Sequence, residues 1–169
     1  MSTWLPWKPN SVLSRSRSST RPASGLIRAA RWQTGTEPEW PVTLVLDAGG
    51  ISALAAQRAW LIELGRRGLW PAQVPAVVLA EALTGDHRRD FHADRLLRAC
   101  QIRDVTEPCA REAARLRTAT GQAAAISATD AIVASYASIT PDAVVLTSDP
   151  HDLTALAHHA NRPITIAPV

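Results

Sequence analysis

Four acidic residues of this sequence stand where their side chains could act together on a cation. Asp47 and Asp149 each come just after a short, continuously apolar run. Asp130 falls in the opening turn of a predicted helix, and Glu81 is the only charged residue of the apolar segment 74–83. Acids at the ends of buried strands, or on helices that lead from them, point to chemistry at one edge of a sheet.

Converging carboxylates favour a divalent metal ion. Two of them about 4 Å apart repel by roughly 4 kcal/mol at an effective dielectric of about 20, and a cation or a proton must relieve that repulsion. Oxygen ligands without supporting histidine or cysteine select Mg²⁺ or Mn²⁺ over zinc. Such an ion, with its waters, suits phosphodiester hydrolysis. The residues alone lead as far as an acidic metal site.

The same acids have a second interpretation as helix caps. The segment 149–152 has the residues of a helix N-terminus, with Asp149 as the cap and a proline directly after it. Ser127 and Asp130 fit a capping box in which Asp replaces the usual Glu. Asp47 could cap the helix that follows it. Glu81 resists this interpretation because it has no cap to make, and both interpretations stay open here.

An α/β fold is predicted to position the acids. Strands are predicted at 42–46, 73–74, 101–105, 143–147 and 164–166. Helices are predicted at 51–65, 76–83, 90–98, 107–120, 127–137 and from 150 to about 158. This alternation indicates an α/β sandwich with a mostly parallel sheet.

Charge divides the 169 residues into two parts. Residues 1–40 carry six basic residues against two acids, whereas residues 41–169 carry twelve against thirteen. The Ser-, Arg- and Pro-rich leader 1–40 is predicted to be disordered. A start codon placed too far upstream, a nonspecific RNA-binding arm and a targeting peptide all remain open for it. The nearly neutral body 41–169 is one domain's length.

Composition and missing motifs exclude several classes. The chain is 46% apolar and 20% charged, close to the globular average, and has no long apolar run that could span a membrane. Its two cysteines fit a reducing cytosol. Gly49 stands where a haloacid-dehalogenase-like phosphatase needs a second Asp, and the only lysine, Lys8, cannot serve a receiver domain. P-loop and dinucleotide-binding glycine motifs are absent.

Four segments resemble, in order and at fitting separations, the motifs of PIN domains. They are most similar to the bacterial toxins of VapBC toxin–antitoxin pairs. The segments are 45–49 (VLDAG), 74–81 (VPAVVLAE), 128–134 (ATDAIVA) and 145–153 (VLTSDPHDL). The resemblance covers about residues 42–167 and implies a PIN-like α/β/α sandwich with a central, mostly parallel sheet. It makes residues 41–169 a PIN-like nuclease domain.

The resemblance also implies an activity, a Mg²⁺-dependent endoribonuclease in which Mn²⁺ can replace Mg²⁺. By motif match, the catalytic and metal-binding acids are Asp47, Glu81, Asp130 and Asp149. Asp47 and Asp130 are the direct ligands in this interpretation. The intact set favours hydrolysis, and the alternative is a catalytically inert PIN-like module that binds RNA or protein.

Further residues surround this set. Asp152 matches an often acidic position that helps a second metal, and Thr147 and Ser148 match positions that orient carboxylates or waters. Arg88 and Arg89 follow the predicted Glu81 helix and are the best candidates for contacting the substrate, although basic residues such as these more often form a solvated face.

The family also implies partners. They are an RNA substrate, a cognate antitoxin protein, and a second copy in a homodimer or larger assembly, in the bacterial cytoplasm and without a membrane. Two features depart from the family pattern. Gly49 and Gly50 predict a looser turn that blunts the positioning of Asp47, and the long leader strengthens the misplaced-start interpretation.

Overall fold

A five-stranded sheet is the centre of the fold in the computed structural model, which describes residues 42–169. The predicted leader 1–40 lies outside the described residues. The strands are β1 (Thr43–Leu46), β2 (Gln73–Pro75), β3 (Gln101–Arg103), β4 (Ala143–Thr147) and β5 (Thr165–Pro168). Their order is β3-β2-β1-β4-β5, and every neighbouring pair is parallel.

Helices flank this sheet and complete an α/β/α sandwich. They are α1 (Ala48–Ala56), α2 (Arg58–Arg66), α3 (Leu79–Ala82), α4 (Phe91–Leu97), α5 (Glu107–Ala119), α6 (Ala128–Ile139) and α7 (Pro150–Ala157). A 3₁₀ turn, Ala76–Val78, leads into α3. None of the helices in residues 42–169 has the length and apolar character needed to cross a bilayer. The predicted α/β class with a parallel sheet is confirmed.

The order in which the chain adds strands to the sheet reverses between β1 and β4. From β1 the chain builds outward through β2 to β3, then returns to add β4 on the other side of β1. Ligands of open α/β sheets bind beyond the carboxyl ends of the strands at such a reversal. Here Leu46 is in register with Leu146, so the next residues, Asp47 and Thr147, lie side by side at that point.

The core explains why the middle of each central strand is apolar. The side chains at 44–46 of β1 and 144–146 of β4 are at most 1% exposed. Helices cover both faces of these strands, so no position along them can be polar without losing contact with water.

Two predicted helices differ from those observed. The helix predicted at 51–65 begins earlier, at Ala48, and is interrupted at Gln57, where φ is −127° and ψ is 82°. The helix predicted at 76–83 is a 3₁₀ turn followed by the short α3, and Pro75 ends β2 instead of opening a helical turn. The earlier start of α1 matters for the candidate site.

Candidate functional site

Asp47 lies at the carboxyl end of β1, where it caps α1. Its Oδ1 accepts a hydrogen bond from the N–H of Gly50 at 2.6 Å, and the residue is only 8% exposed. Burial raises the pKa of Asp47, and the negative charge of Asp130 raises it further. Hydrogen bonds from the Thr147 hydroxyl and the Gly50 N–H oppose that rise. The fold therefore keeps a partly desolvated carboxylate at the reversal point of the sheet.

Thr147 connects Asp47 with Asp149. Its buried hydroxyl accepts a hydrogen bond from the N–H of Asp149 at 3.0 Å and donates to the carbonyl oxygen of Asp149 at 3.1 Å, and its place beside the Asp47 carboxylate lowers the pKa of that acid. Asp149 caps α7, because its Oδ1 accepts from the N–H of His151 at 3.3 Å. One buried hydroxyl thus ties together the segments that carry two of the predicted acids.

Asp130 is held by Ser127 at the start of α6. The Ser127 hydroxyl accepts from the N–H of Asp130 at 2.9 Å and donates to its Oδ2 at 2.8 Å. Burial raises the pKa of Asp130, and the hydrogen bond from Ser127 opposes the rise. Three more carboxylates raise it through their negative charge: Glu81, Asp152 and Asp149.

The predicted acids therefore share one electrostatic environment. Asp130 is central to it, because its carboxyl interacts with all the others, including Asp47. Three of the acids belong to helix-capping arrangements, which confirms the cap interpretation and is compatible with the site interpretation. A carboxylate has two oxygens and about four acceptor positions, and a cap uses only part of them. A capping acid therefore still has oxygen positions that can bind a cation.

The donor set can be tested against a divalent cation. Within residues 42–169, no three His, Cys, Asp or Glu side chains are arranged so that they could hold one metal ion as they stand. Mg²⁺ does not require three, because it keeps several waters and is commonly bound through one or two carboxylates. Asp47 is buried, Asp130 and Asp152 are half-buried, and Glu81 and Asp149 are exposed. Mutually repelling carboxylates such as these have the chemistry that Mg²⁺ or Mn²⁺ selects.

His151 is a residue that sequence reasoning did not assign to the site. Its Nδ1 lies 2.9 Å from Oδ1 of Asp152, and its ring is 79% exposed. The hydrogen bond to Asp152, and the charges of Asp152 and Asp149, raise the pKa of His151. The only signal in the sequence was its position inside the capping segment 149–152.

The predicted substrate residues lie on a hydrogen-bonded loop after α3. The buried carboxylate of Asp90 accepts from the N–H groups of Thr84 and Gly85, each at 2.9 Å, and from the Thr84 hydroxyl at 2.9 Å. Those hydrogen bonds hold the pKa of Asp90 below its usual range. Arg88 and Arg89 are exposed on this fixed loop, so their side chains can reach a ligand.

The glycine pair after Asp47 does not loosen the chain, and that expectation is wrong. Gly49 and Gly50 lie in the first turn of α1. A Cβ on Gly49 would lie 2.2 Å from Oγ of Ser148, and one on Gly50 would lie 2.3 Å from the carbonyl oxygen of Leu146. The glycines let α1 approach the end of β4 closely.

Comparison with known proteins shows which fold this is. No family model and no curated protein sequence matches the chain. VapBC from Salmonella typhimurium bound to DNA superimposes with a TM-score of 0.58, 12% identity, and coverage of 74% of this chain and 98% of that one. VapBC2 from Rickettsia felis bound to a promoter DNA fragment superimposes with a TM-score of 0.57 and 19% identity, and the match covers 74% of this chain and 98% of that one. PAE2754 from Pyrobaculum aerophilum superimposes with a TM-score of 0.51 and 18% identity, and the match covers 73% of this chain and 83% of that one.

The fold is that of a PIN domain. The predicted resemblance to PIN domains is thereby confirmed at the level of the fold. Within this PIN fold Asp47 and Asp149 follow the carboxyl ends of β1 and β4, where the strand order reverses. Glu81 on α3 is close enough to Asp130 on α6 to raise its pKa.

Proposed function

We propose that this PIN-fold chain is a metal-dependent endoribonuclease that hydrolyses RNA phosphodiester bonds. The observation that carries the proposal is the charge cluster around Asp130, whose pKa is raised by burial and by the carboxylates of Glu81, Asp152 and Asp149. Folding that brings these groups together is electrostatically costly without a cation. Perturbed acids gathered in this way are typical of functional sites.

Each acid has a role in this proposal. Asp47 and Asp130 hold the metal, Mg²⁺ or Mn²⁺, while Glu81 and Asp149 complete its surroundings or those of a second ion. Asp152 lies close enough to Asp130 to affect its pKa and assists the second ion. A bound metal supplies a Lewis acid and a water of lowered pKa, which is the chemistry that phosphodiester hydrolysis needs.

The other site residues position the acids or the substrate. Thr147 orients Asp47 through its buried hydroxyl, and Ser148 presents an exposed hydroxyl beside Gly49. Arg88 and Arg89, fixed by the loop that Asp90 organises, contact phosphates of the RNA. The nearly neutral charge of the body means that such local contacts provide the affinity for RNA.

We further propose that the chain is the toxin of a toxin–antitoxin pair. Two structures with this fold are VapBC assemblies bound to DNA. A groove of about 370 Å³ lies between α1, α2 and α4, with apolar walls that include Leu54 and Leu61 and basic side chains His92 and Arg95. This groove fits a partner segment that is apolar on one side and acidic on the other. A homodimer or larger assembly in the bacterial cytoplasm follows from the same proposal.

One observation favours a second candidate, an inert PIN-like module that binds RNA or protein. Among residues 42–169, no three acids are arranged to hold one metal ion together. A module of this kind would keep the fold and the exposed Arg88 and Arg89. It would bind RNA equally well in the presence of Mg²⁺ and of EDTA.

Cleavage of RNA by the purified full chain distinguishes the two candidates. The chain is incubated with a mixed RNA pool and Mg²⁺, Mn²⁺ or EDTA, beside Asp47→Ala and beside Asp104→Ala, which changes an exposed acid after β3. The nuclease proposal predicts cleavage that requires metal and Asp47 and is unaffected by Asp104→Ala. A folded chain that cuts no RNA under any of these conditions supports the inert module.

A further inference from the structure

The first turn of α1 packs closely against the segment after β4 because Gly49 has no side chain. A Cβ on Gly49 would lie 2.2 Å from Oγ, 2.7 Å from N and 3.0 Å from Cβ of Ser148. Real Cβ atoms essentially never approach other atoms within 3.0 Å. The Ser148 hydroxyl therefore occupies the space in which residue 49 would otherwise carry its side chain.

This contact lies between two of the acids. Gly49 is two residues after Asp47, and Ser148 directly precedes Asp149. The hydrogen-bonded pairing of β1 with β4 fixes the two strands relative to each other only as far as Leu46 and Leu146. Beyond the ladder, the missing side chain at Gly49 lets the segments that carry the two carboxylates approach closely.

We infer that Gly49 is a positioning residue of the proposed metal site, forming with Ser148 a notch that sets the separation between the Asp47 and Asp149 carboxylates. The inference rests on the proposed function in one respect, that these acids act on a divalent cation. It assigns a role to a residue that carries no chemical group of its own, and that role depends on both the side chain and the main-chain N of Ser148.

Two other glycines provide matched comparisons. Gly50 lies in the same turn, but its Cβ would meet the main-chain carbonyl oxygen of Leu146 at 2.3 Å, which no change of the Ser148 side chain can relieve. Gly65 lies in α2, and its Cβ would meet nothing within 4 Å. A Gly→Ala change at 65 therefore adds the same methyl group without a clash.

The test combines Gly49→Ala with Ser148→Gly in the full chain. Ser148→Gly removes Oγ and Cβ, the two side-chain atoms that the new methyl group would strike, and leaves the main-chain N of residue 148 at 2.7 Å. The second change therefore relieves the clash in part, and partial recovery is expected. Mn²⁺ affinity is measured by titration calorimetry, and folding is measured by thermal melting without metal. Gly49→Ala is expected to weaken Mn²⁺ binding by about 10- to 100-fold, as loss of a group that orients ligands commonly does. The double variant is expected to bind Mn²⁺ more tightly than Gly49→Ala alone.

The variants at Gly50 and Gly65 serve as controls for this expectation. Ser148→Gly should not restore Mn²⁺ binding to Gly50→Ala, and Gly65→Ala should bind Mn²⁺ like the unmodified chain. The inference is overturned if Gly49→Ala keeps full Mn²⁺ affinity, or if the double variant binds no better than Gly49→Ala. If Gly49→Ala does not fold, the double variant decides. Recovery of folding together with Mn²⁺ binding supports the inference, and failure of either overturns it.

The same titration separates this inference from the proposed function. A chain that binds Mn²⁺, shows the coupling and cuts no RNA contradicts the nuclease proposal and leaves the positioning role of Gly49 intact. A wild-type chain that binds no Mn²⁺ overturns both.

Discussion

Ser127 and Asp130 are joined by two hydrogen bonds. The Ser127 hydroxyl accepts from the Asp130 N–H at 2.9 Å and donates to the Asp130 carboxylate at 2.8 Å. The first bond caps α6, and the second orients the acid at the centre of the charge cluster. The same residue thus stabilises the helix and positions the candidate metal ligand.

Ser127→Ala should damage both stability and cleavage. Loss of the cap should lower the free energy of unfolding by about 1 kcal/mol, which denaturant titration would show. Loss of the bond to Oδ2 leaves the Asp130 carboxylate free to rotate, so RNA cleavage should fall by about 10-fold or more. Ser127→Thr keeps the hydroxyl and should retain most of both properties. Equal losses of cleavage in the Ala and Thr variants would contradict this role.

Asp130→Asn should stabilise the metal-free chain while abolishing cleavage. Burial and neighbouring carboxylates raise the pKa of Asp130 in the folded state. The unfolded chain therefore ionises more readily, and stability falls as the pH rises above the ordinary value of about 3.9. At neutral pH the neutral amide removes this cost, and we expect the melting temperature without metal to rise by about 2–5 °C. A lower melting temperature would show that the Asp130 charge stabilises the fold.

The loop that carries Arg88 and Arg89 should loosen in acid. Hydrogen bonds from Thr84 and Gly85 lower the pKa of Asp90 in the folded state. The stability from this carboxylate is therefore present above the unfolded pKa of about 3.9 and is lost as the pH falls through the lower folded value. Asp90→Asn should speed amide hydrogen exchange at Thr84 and Gly85 at neutral pH, and the difference from wild type should shrink below about pH 4. A difference that persists at low pH would contradict this assignment.

A divalent cation should stabilise the wild-type chain against heat. At a Mn²⁺ concentration about 100 times the dissociation constant, binding to the folded state adds about 2.7 kcal/mol. Asp47→Asn keeps an oxygen for the Gly50 N–H but loses the negative charge, so at the same Mn²⁺ concentration its melting temperature should rise by at most about half as much as that of the wild type. Equal responses of the two proteins would place the metal away from Asp47.

Several elements of this site could be read from the sequence. The apolar run before Asp47 places that acid at a strand end, and the pairing of β1 with β4 brings it beside Thr147. The capping pattern at Ser127 and Asp130 was correct, because it depends on residues three apart in one helical turn. Such local patterns, together with the rule for parallel sheets, lead most of the way to the charge cluster.

Other features depend on residues far apart in the chain. The close packing of Gly49 depends on Ser148, almost a hundred positions later, so a glycine pair alone suggested looseness where the structure has a tight contact. The break at Gln57 has no proline or glycine to mark it. His151 is a surface residue whose bond to Asp152 is local, but its place beside Asp130 and the other acids depends on how α7 packs in the fold.

Direct counting of bound Mn²⁺ tests the central claim, that the acids around Asp130 form one metal site. Free Mn²⁺ gives a strong electron paramagnetic resonance signal that is lost on binding, so a titration reports the number and affinity of bound ions. We expect the wild-type chain and Asp104→Asn to bind Mn²⁺, and Asp47→Asn and Asp130→Asn each to weaken binding by about 10-fold or more. Unchanged Mn²⁺ binding in both of the latter variants would contradict it.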